Sequence, residues 1–181
     1  MILSFTTMVN KYNMDIKGII HIGAHHGQEI EEYIDNGVQD IIMFEPVAYN
    51  FQVLEEKMSD LNANIQAYQV ALGNEKKENV LMYLSDNNLI SSSVLKPKVH
   101  LQLHPGVGFP GREEVEMDRL DNFAEETAKF NFINMDVMRV MHLLKTWMSS
   151  LLNMIWKELK LIGQELFGEM LFIFVRNDYK L

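Results

Sequence analysis

The chain has no cysteine in its 181 residues. That excludes disulfides, thiolate metal sites and a cysteine nucleophile, and it suits a reducing compartment without requiring one. Basic residues are in the minority: 16 Lys and Arg against 25 Asp and Glu leave a formal charge of −9. Such a balance argues against a broad basic face for nucleic acid. No apolar run reaches the roughly 18 residues needed to cross a bilayer. The longest candidate, Trp147 to Trp156, is interrupted by two serines and an asparagine. The opening residues, Met1-Ile-Leu-Ser-Phe-Thr-Thr, lack the charged-then-apolar plan of a signal peptide. The expectation is a cytoplasmic protein with neither a nucleic-acid nor a membrane partner. With no internal repeat, low-complexity tract or linker, residues 1–181 read as a single domain. Hydrophobic content of 48% and charged content of 23% give that domain an ordinary globular composition and a sizeable core.

The stretch that organises the rest is Gly18-Ile-Ile-His-Ile-Gly-Ala-His-His-Gly-Gln-Glu29. A short apolar run broken only by His21 enters the turn Gly23-Ala-His-His-Gly27, and a helix-like stretch follows from Gln28. Strand, tight glycine turn and helix together aim backbone N–H groups at a nucleotide-like ligand. A second apolar run, Ile41-Ile-Met-Phe44, ends in Glu45-Pro46. An acid at the end of the second strand is placed to accept hydrogen bonds from two ribose hydroxyls. Plainer readings stand beside these: Gly23 and Gly27 as ordinary turn glycines, Glu45 as a solvated strand-end acid. His25 and His26 are adjacent, so in an extended stretch they point oppositely, which disfavours a metal pair.

Periodicity fills in the remainder. Strands are expected at Gly18–Ile22, Asp40–Phe44, Ile65–Val70, Asn79–Leu84, Val115–Met117 and Phe130–Met135. Helices are expected at Gln28–Asn36, Tyr49–Leu61 and Leu120–Lys129, after a polar lead-in with room for a short helix. Strands separated by single helices imply an α/β fold with a parallel sheet and right-handed crossovers. Ser85–Val94 reads as a loop in which Ser91-Ser-Ser93 makes local hydrogen bonds. Lys96–Arg112, with Pro105-Gly106 and Pro110-Gly111, is a long irregular excursion of the kind that is usually functional or disordered.

Taken in order, Gly23-Ala-His-His-Gly27, Phe44-Glu-Pro46, Val70-Ala-Leu-Gly73, Ser91-Ser-Ser93, Met117-Asp-Arg-Leu-Asp121 and Ile133-Asn-Met-Asp136 resemble the motif series of FkbM-type methyltransferases. The resemblance covers about residues 17–137. It implies a Rossmann-like fold, S-adenosylmethionine as cofactor, and methyl transfer to an oxygen of a small molecule or sugar. It also implies that His21, Gly23, Ala24, His25 and Gly27 border the cofactor's methionine part, that Glu45 binds its ribose, that Ala71 lies near the adenine, and that Asp136 faces the methionine or the acceptor. His21 departs from the family's pattern, which usually has an acid there. No catalytic residue is specified; His100 and His104, in the long loop, are the candidate bases. No metal is implied. A non-catalytic binding or interaction module stays open as an alternative. An NAD-type oxidoreductase is disfavoured, because Gly23-Ala-His-His-Gly27 lacks Gly-x-Gly-x-x-Gly.

The resemblance stops after Asp136. Val137-Met-Arg-Val-Met-His142 replaces the expected continuation, and the family's final strands are expected to be lost or altered. Apolar residues of Val137–Leu161 keep helical spacing. Reading instead from the third base of the Met138 codon, the shifted frame can encode Glu-Gly-Tyr-Ala. From Phe167 the same frame can encode Trp-Gly-Asp-Ala-Leu-Tyr-Ile-Arg, like the family's ending. The hypothesis is a frameshift at about Val137–Met138, making 138–181 an out-of-frame tail. Sequencing the coding segment checks it: an alternative frame is expected there, and an uninterrupted frame with no alternative reading would contradict it.

Overall fold

The structure is a computed structural model, and its described residues are 4–97, 101–102, 104–127, 129–136 and 172–175. The helical spacing of Val137–Leu161, most of the proposed tail and His100 lie outside them.

Three short apolar segments make the centre. β1 (Ile19–Ile22), β2 (Asp40–Phe44) and the later strand β7 (Phe132–Met135) are buried along almost their whole length. Continuous apolar strands are what a parallel sheet covered on both faces requires. β3 (Asn64–Tyr68) flanks β2, and β8 (Phe172–Val175) flanks β7. Every pairing in this five-stranded sheet is parallel. Its order, β3-β2-β1-β7-β8, reverses direction between β1 and β7. β8 comes from the segment after Asp136, where the sequence left the family's final strands lost or altered.

Alternation divides the core in two. Ile19, Ile41, Met43 and Phe132 face α1 (Phe5–Tyr12), α2 (Ile30–Asp35) and α3 (Ala48–Ser59), through Phe5, Met8, Ile30, Tyr33 and Leu54. Ile20, Ile22, Ile42, Phe44, Ile133 and Met135 face Leu120 and Phe123 of a 3-10 turn, Leu120–Phe123. Phe5 meets Tyr33 and Phe132 edge-on, with centroids 4.9 and 5.2 Å apart, so the first helix is a cover for the sheet. Ser4 caps that helix by accepting the Thr7 N–H, and Asn13 ends it in the left-handed conformation.

A second sheet of three strands, ordered β4-β6-β5, stands beside the first: β4 (Ala71–Leu72), β5 (Lys77–Leu84) and β6 (Gly111–Asp118). β5 and β6 are antiparallel, joined through the long excursion. The sequence led to only Val115–Met117 for β6. Its true span alternates exposed charge with half-buried positions, as a one-sided antiparallel strand does. The helix expected at Leu120–Lys129 is a 3-10 turn followed by one α-turn, Ala124–Thr127.

α2 starts two residues later than expected because the turn before it is left-handed twice, at His25 (φ 50°) and Gly27 (φ 66°). A Cβ at Gly27 would lie 2.5 Å from Ile30 Cδ1 and 2.7 Å from Leu54 Cδ1. Gly27→Ala therefore adds both backbone strain and overpacking and is expected to destabilise the fold by about 2 kcal/mol or more, measured by urea unfolding. An unchanged midpoint would show that the turn is not packed in this way.

Candidate functional site

The end of β1, the end of β2 and the end of β7 converge where the strand order reverses, the place where open α/β sheets leave a crevice at their carboxyl ends. Gly23 follows β1, Glu45 follows β2, and Asp136 follows β7. The strand ends are tied together: Gly23 and Ala24 N–H donate to Phe44 O at 2.9 and 3.1 Å, and Asp136 N–H donates to Ile22 O at 2.9 Å.

Glu45 is not a solvated acid; it is 5% exposed. Its Oε2 accepts the His25 N–H at 2.9 Å. Its Oε1 accepts the Val47 N–H at 3.0 Å and the Asn50 Nδ2–H at 3.3 Å. Burial pushes its carboxyl above the usual range, opposed by these three hydrogen bonds. A carboxylate offers about four acceptor positions. One position remains, on Oε2, so the acid as arranged has room for one further hydroxyl, not the ribose pair expected from the sequence.

The turn also differs from expectation. Four of its five N–H groups do not stand open to a ligand: those of Gly23 and Ala24 go to Phe44 O, that of His25 to Glu45, and that of Gly27 to Ala24 O at 2.8 Å. Ala24 is buried. His25 and His26 do not point oppositely. The left-handed φ of His25 breaks the extended geometry, and the two rings lie 3.9 Å apart at 35°.

The His25 ring reaches a second loop. Its Nε2 lies 2.8 Å from Asn88 O, and Gln28 Nε2 lies 2.9 Å from its Nδ1. A carbonyl only accepts, so the ring proton is on Nε2 and Nδ1 accepts from Gln28. Asn88 and Leu89 both have positive φ, 55° and 64°, the second uncommon for so bulky a residue. The loop is held beneath by Ser85, Asn87, Ser91 and Ser92, with Ser91 N–H on Ser85 Oγ at 3.1 Å and Asn87 Nδ2–H on Ser91 Oγ at 2.9 Å. The serines thus play the expected loop-bonding part. Asp86 pins the long excursion by accepting the Gly108 N–H at 2.8 Å.

The remaining expected residues are dispersed. His21 is 1% exposed and sits under α2, its Nδ1 3.2 Å from Tyr33 Oη and its Nε2 3.5 Å from Asn134 Nδ2. Asn134 Nδ2 donates to Tyr33 Oη at 2.6 Å. Ala71 lies one layer out, packed with Val47, Met82 and Val115. His104 bonds within the excursion, its carbonyl accepting the Val107 N–H at 3.0 Å. Among the described residues no cluster of three His, Asp or Glu is arranged to hold a metal, and no helix is long and apolar enough to cross a membrane. The residues the sequence reading missed are Asn50, Gln28 and Asn88. Asn50, a polar residue five positions after a strand-end acid, is the one with a usable signal.

Comparison with known protein families, with curated proteins and with solved structures gives no match.

Because burial raises the Glu45 carboxyl above its ordinary value of 4.5, the folded protein holds that proton more tightly than the unfolded chain does. The contribution is fully present below pH 4.5 and is lost as pH rises through the folded midpoint. Stability of the wild type minus that of Glu45→Gln, from urea unfolding, is expected to fall as pH rises above 4.5; a constant difference would contradict the burial of an ionised acid.

Proposed function

We propose that the chain is a methyltransferase-type domain that binds an S-adenosyl nucleoside in the crevice between the ends of β1, β2 and β7, and that its reaction is methyl transfer from S-adenosylmethionine to an oxygen of a small molecule or sugar. The observation that carries the reading is the placement of the Glu45 carboxylate: at the end of β2, beside the glycine turn, at the switch point, with one acceptor position left. The fit is partial. Glu45 suits a ribose hydroxyl, whereas four of the turn's five N–H groups are already engaged, so the rest of the ligand would be held by shape and by the half-buried Asp136. The motif series of Gly23–Asp136 supports the same reading, with the cytoplasm as its setting.

S-adenosylmethionine supplies an electrophilic methyl group when bound. The chain's task is then orientation: Glu45 fixes the ribose end, and the loop of Asn88–Leu89, latched through His25, forms a wall beside the turn. Holding donor and acceptor in line is the larger part of such catalysis. His104 is the candidate base among the described residues for an acceptor hydroxyl.

Calorimetry with S-adenosylhomocysteine tests the reading. Binding is expected in the wild type. Glu45→Gln removes one charge-assisted hydrogen bond and should weaken it by about 1.5–3 kcal/mol. A 2′- or 3′-deoxy analogue that loses affinity in the wild type should lose little more in the variant. Fully additive losses would place Glu45 away from the ribose.

A further inference from the structure

Asn50 is the buried polar group for which the reading above has no task. It lies in the first turn of α3 and is 1% exposed. Its Nδ2 donates to Glu45 Oε1 at 3.3 Å, and its Oδ1 lies 3.1 Å from His26 Nε2. The direction of this chain follows from chemistry. An ionised carboxylate only accepts, so the amide must turn its NH2 to Glu45. Its oxygen then faces the imidazole, and the ring nitrogen opposite it carries the proton. His26 is held in place by the His25 ring at 3.9 Å and by the edge of Tyr49 at 5.9 Å.

We propose that Asn50, backed by His26, is a positioning residue for the hydroxyl-binding carboxylate: the relay from His26 Nε2–H through the Asn50 amide to Glu45 Oε1 fixes the plane of the acid and directs its last acceptor position, on Oε2, to a nucleoside hydroxyl. This rests on the nucleoside reading of the crevice. The backbone donors, His25 N–H and Val47 N–H, each hold one oxygen. Asn50 is the third donor and, among the described residues, the only side chain that grips the acid. It fills the second acceptor position of Oε1, which is why the open position falls on Oε2 alone. Burial and the neighbouring His25 lower the His26 titration, so the ring is neutral at pH 7. The other titratable groups around the relay are His25 in the turn, Tyr49 on α3, and Glu113 of β6, whose Oε1 accepts the Ala48 N–H at 2.9 Å.

The consequence is measurable on Glu45 itself. Loss of the Asn50 donor leaves burial less opposed, so the acid should take up its proton at higher pH. In full-length protein, the Glu45 side-chain carboxyl is titrated by carbon-13 NMR in the wild type, Asn50→Leu and His26→Phe. S-adenosylhomocysteine affinity is followed by calorimetry at pH 6 and pH 8. Asn50→Leu keeps the side-chain volume and removes both hydrogen bonds. Its Glu45 midpoint is expected to move up, and its binding to weaken by about tenfold, more at the lower pH than at the higher, the scale of one charge-assisted hydrogen bond. His26→Phe keeps the ring stack and should move the midpoint the same way by less; it decides the matter alone if Asn50→Leu does not fold. An unmoved midpoint overturns the relay whether or not the nucleoside binds. A moved midpoint in a wild type that binds no S-adenosylhomocysteine overturns the nucleoside reading instead.

Discussion

A carboxylate taken out of water must be given donors, and the architecture of this crevice follows from how Glu45 is given them. One oxygen holds the N–H of His25 and the other that of Val47, so a single side chain ties the exit of β1 to the exit of β2. The turn after β1 must then present His25 N–H inward. It does so by placing His25 in the left-handed region and closing with Gly27, whose missing Cβ lets Ile30 and Leu54 pack against it. The same fold of the turn stacks His25 on His26 and sends the His25 ring across to Asn88. One buried acid therefore shapes the glycine turn, the contact of His25 with Asn88 and the start of α2.

A second polar arrangement lies beneath, out of the crevice. His21, Tyr33 and Asn134 join β1, α2 and β7 on the helix-covered face, and Asn134 Oδ1 has no hydrogen-bond partner among the described residues. Register places His21 directly opposite Asn134, so the pair is a cross-strand contact between the two strands that flank the switch point. Buried polar groups of this kind penalise any slip of register. The pair lies in the β1–β7 register that also brings Asp136 N–H onto Ile22 O, next to Gly23.

What the sequence made legible follows from burial. β1, β2 and β7 are buried on both faces and mostly apolar, and such runs declare themselves without partners. The end of α2 was readable because Asn36-Gly37 stops it, with Gly37 at φ 86°. β6 was largely hidden: Glu113, Glu114 and Glu116 mask an alternation that only β5 makes useful. Within the crevice, Glu45 could be singled out by its place after a strand. Its burial could not, because two of its donors are backbone N–H groups and one of those comes from 20 residues earlier in the chain. The stacking of His25 on His26 was also illegible, since it depends on a left-handed φ at a residue that is neither glycine nor asparagine.

The central claim is that a nucleoside sits among the ends of β1, β2 and β7. Nitrogen-15 amide NMR during titration with S-adenosylhomocysteine tests it most directly. The largest shifts are predicted at Gly23–Gly27, Glu45, Asn50 and Asp136. The contradicting result is no shift at saturating ligand, or shifts confined to a separate cavity of about 230 Å³ lined by Asn64, Gln66, Glu125 and Lys129 at the opposite end of β2 and β3.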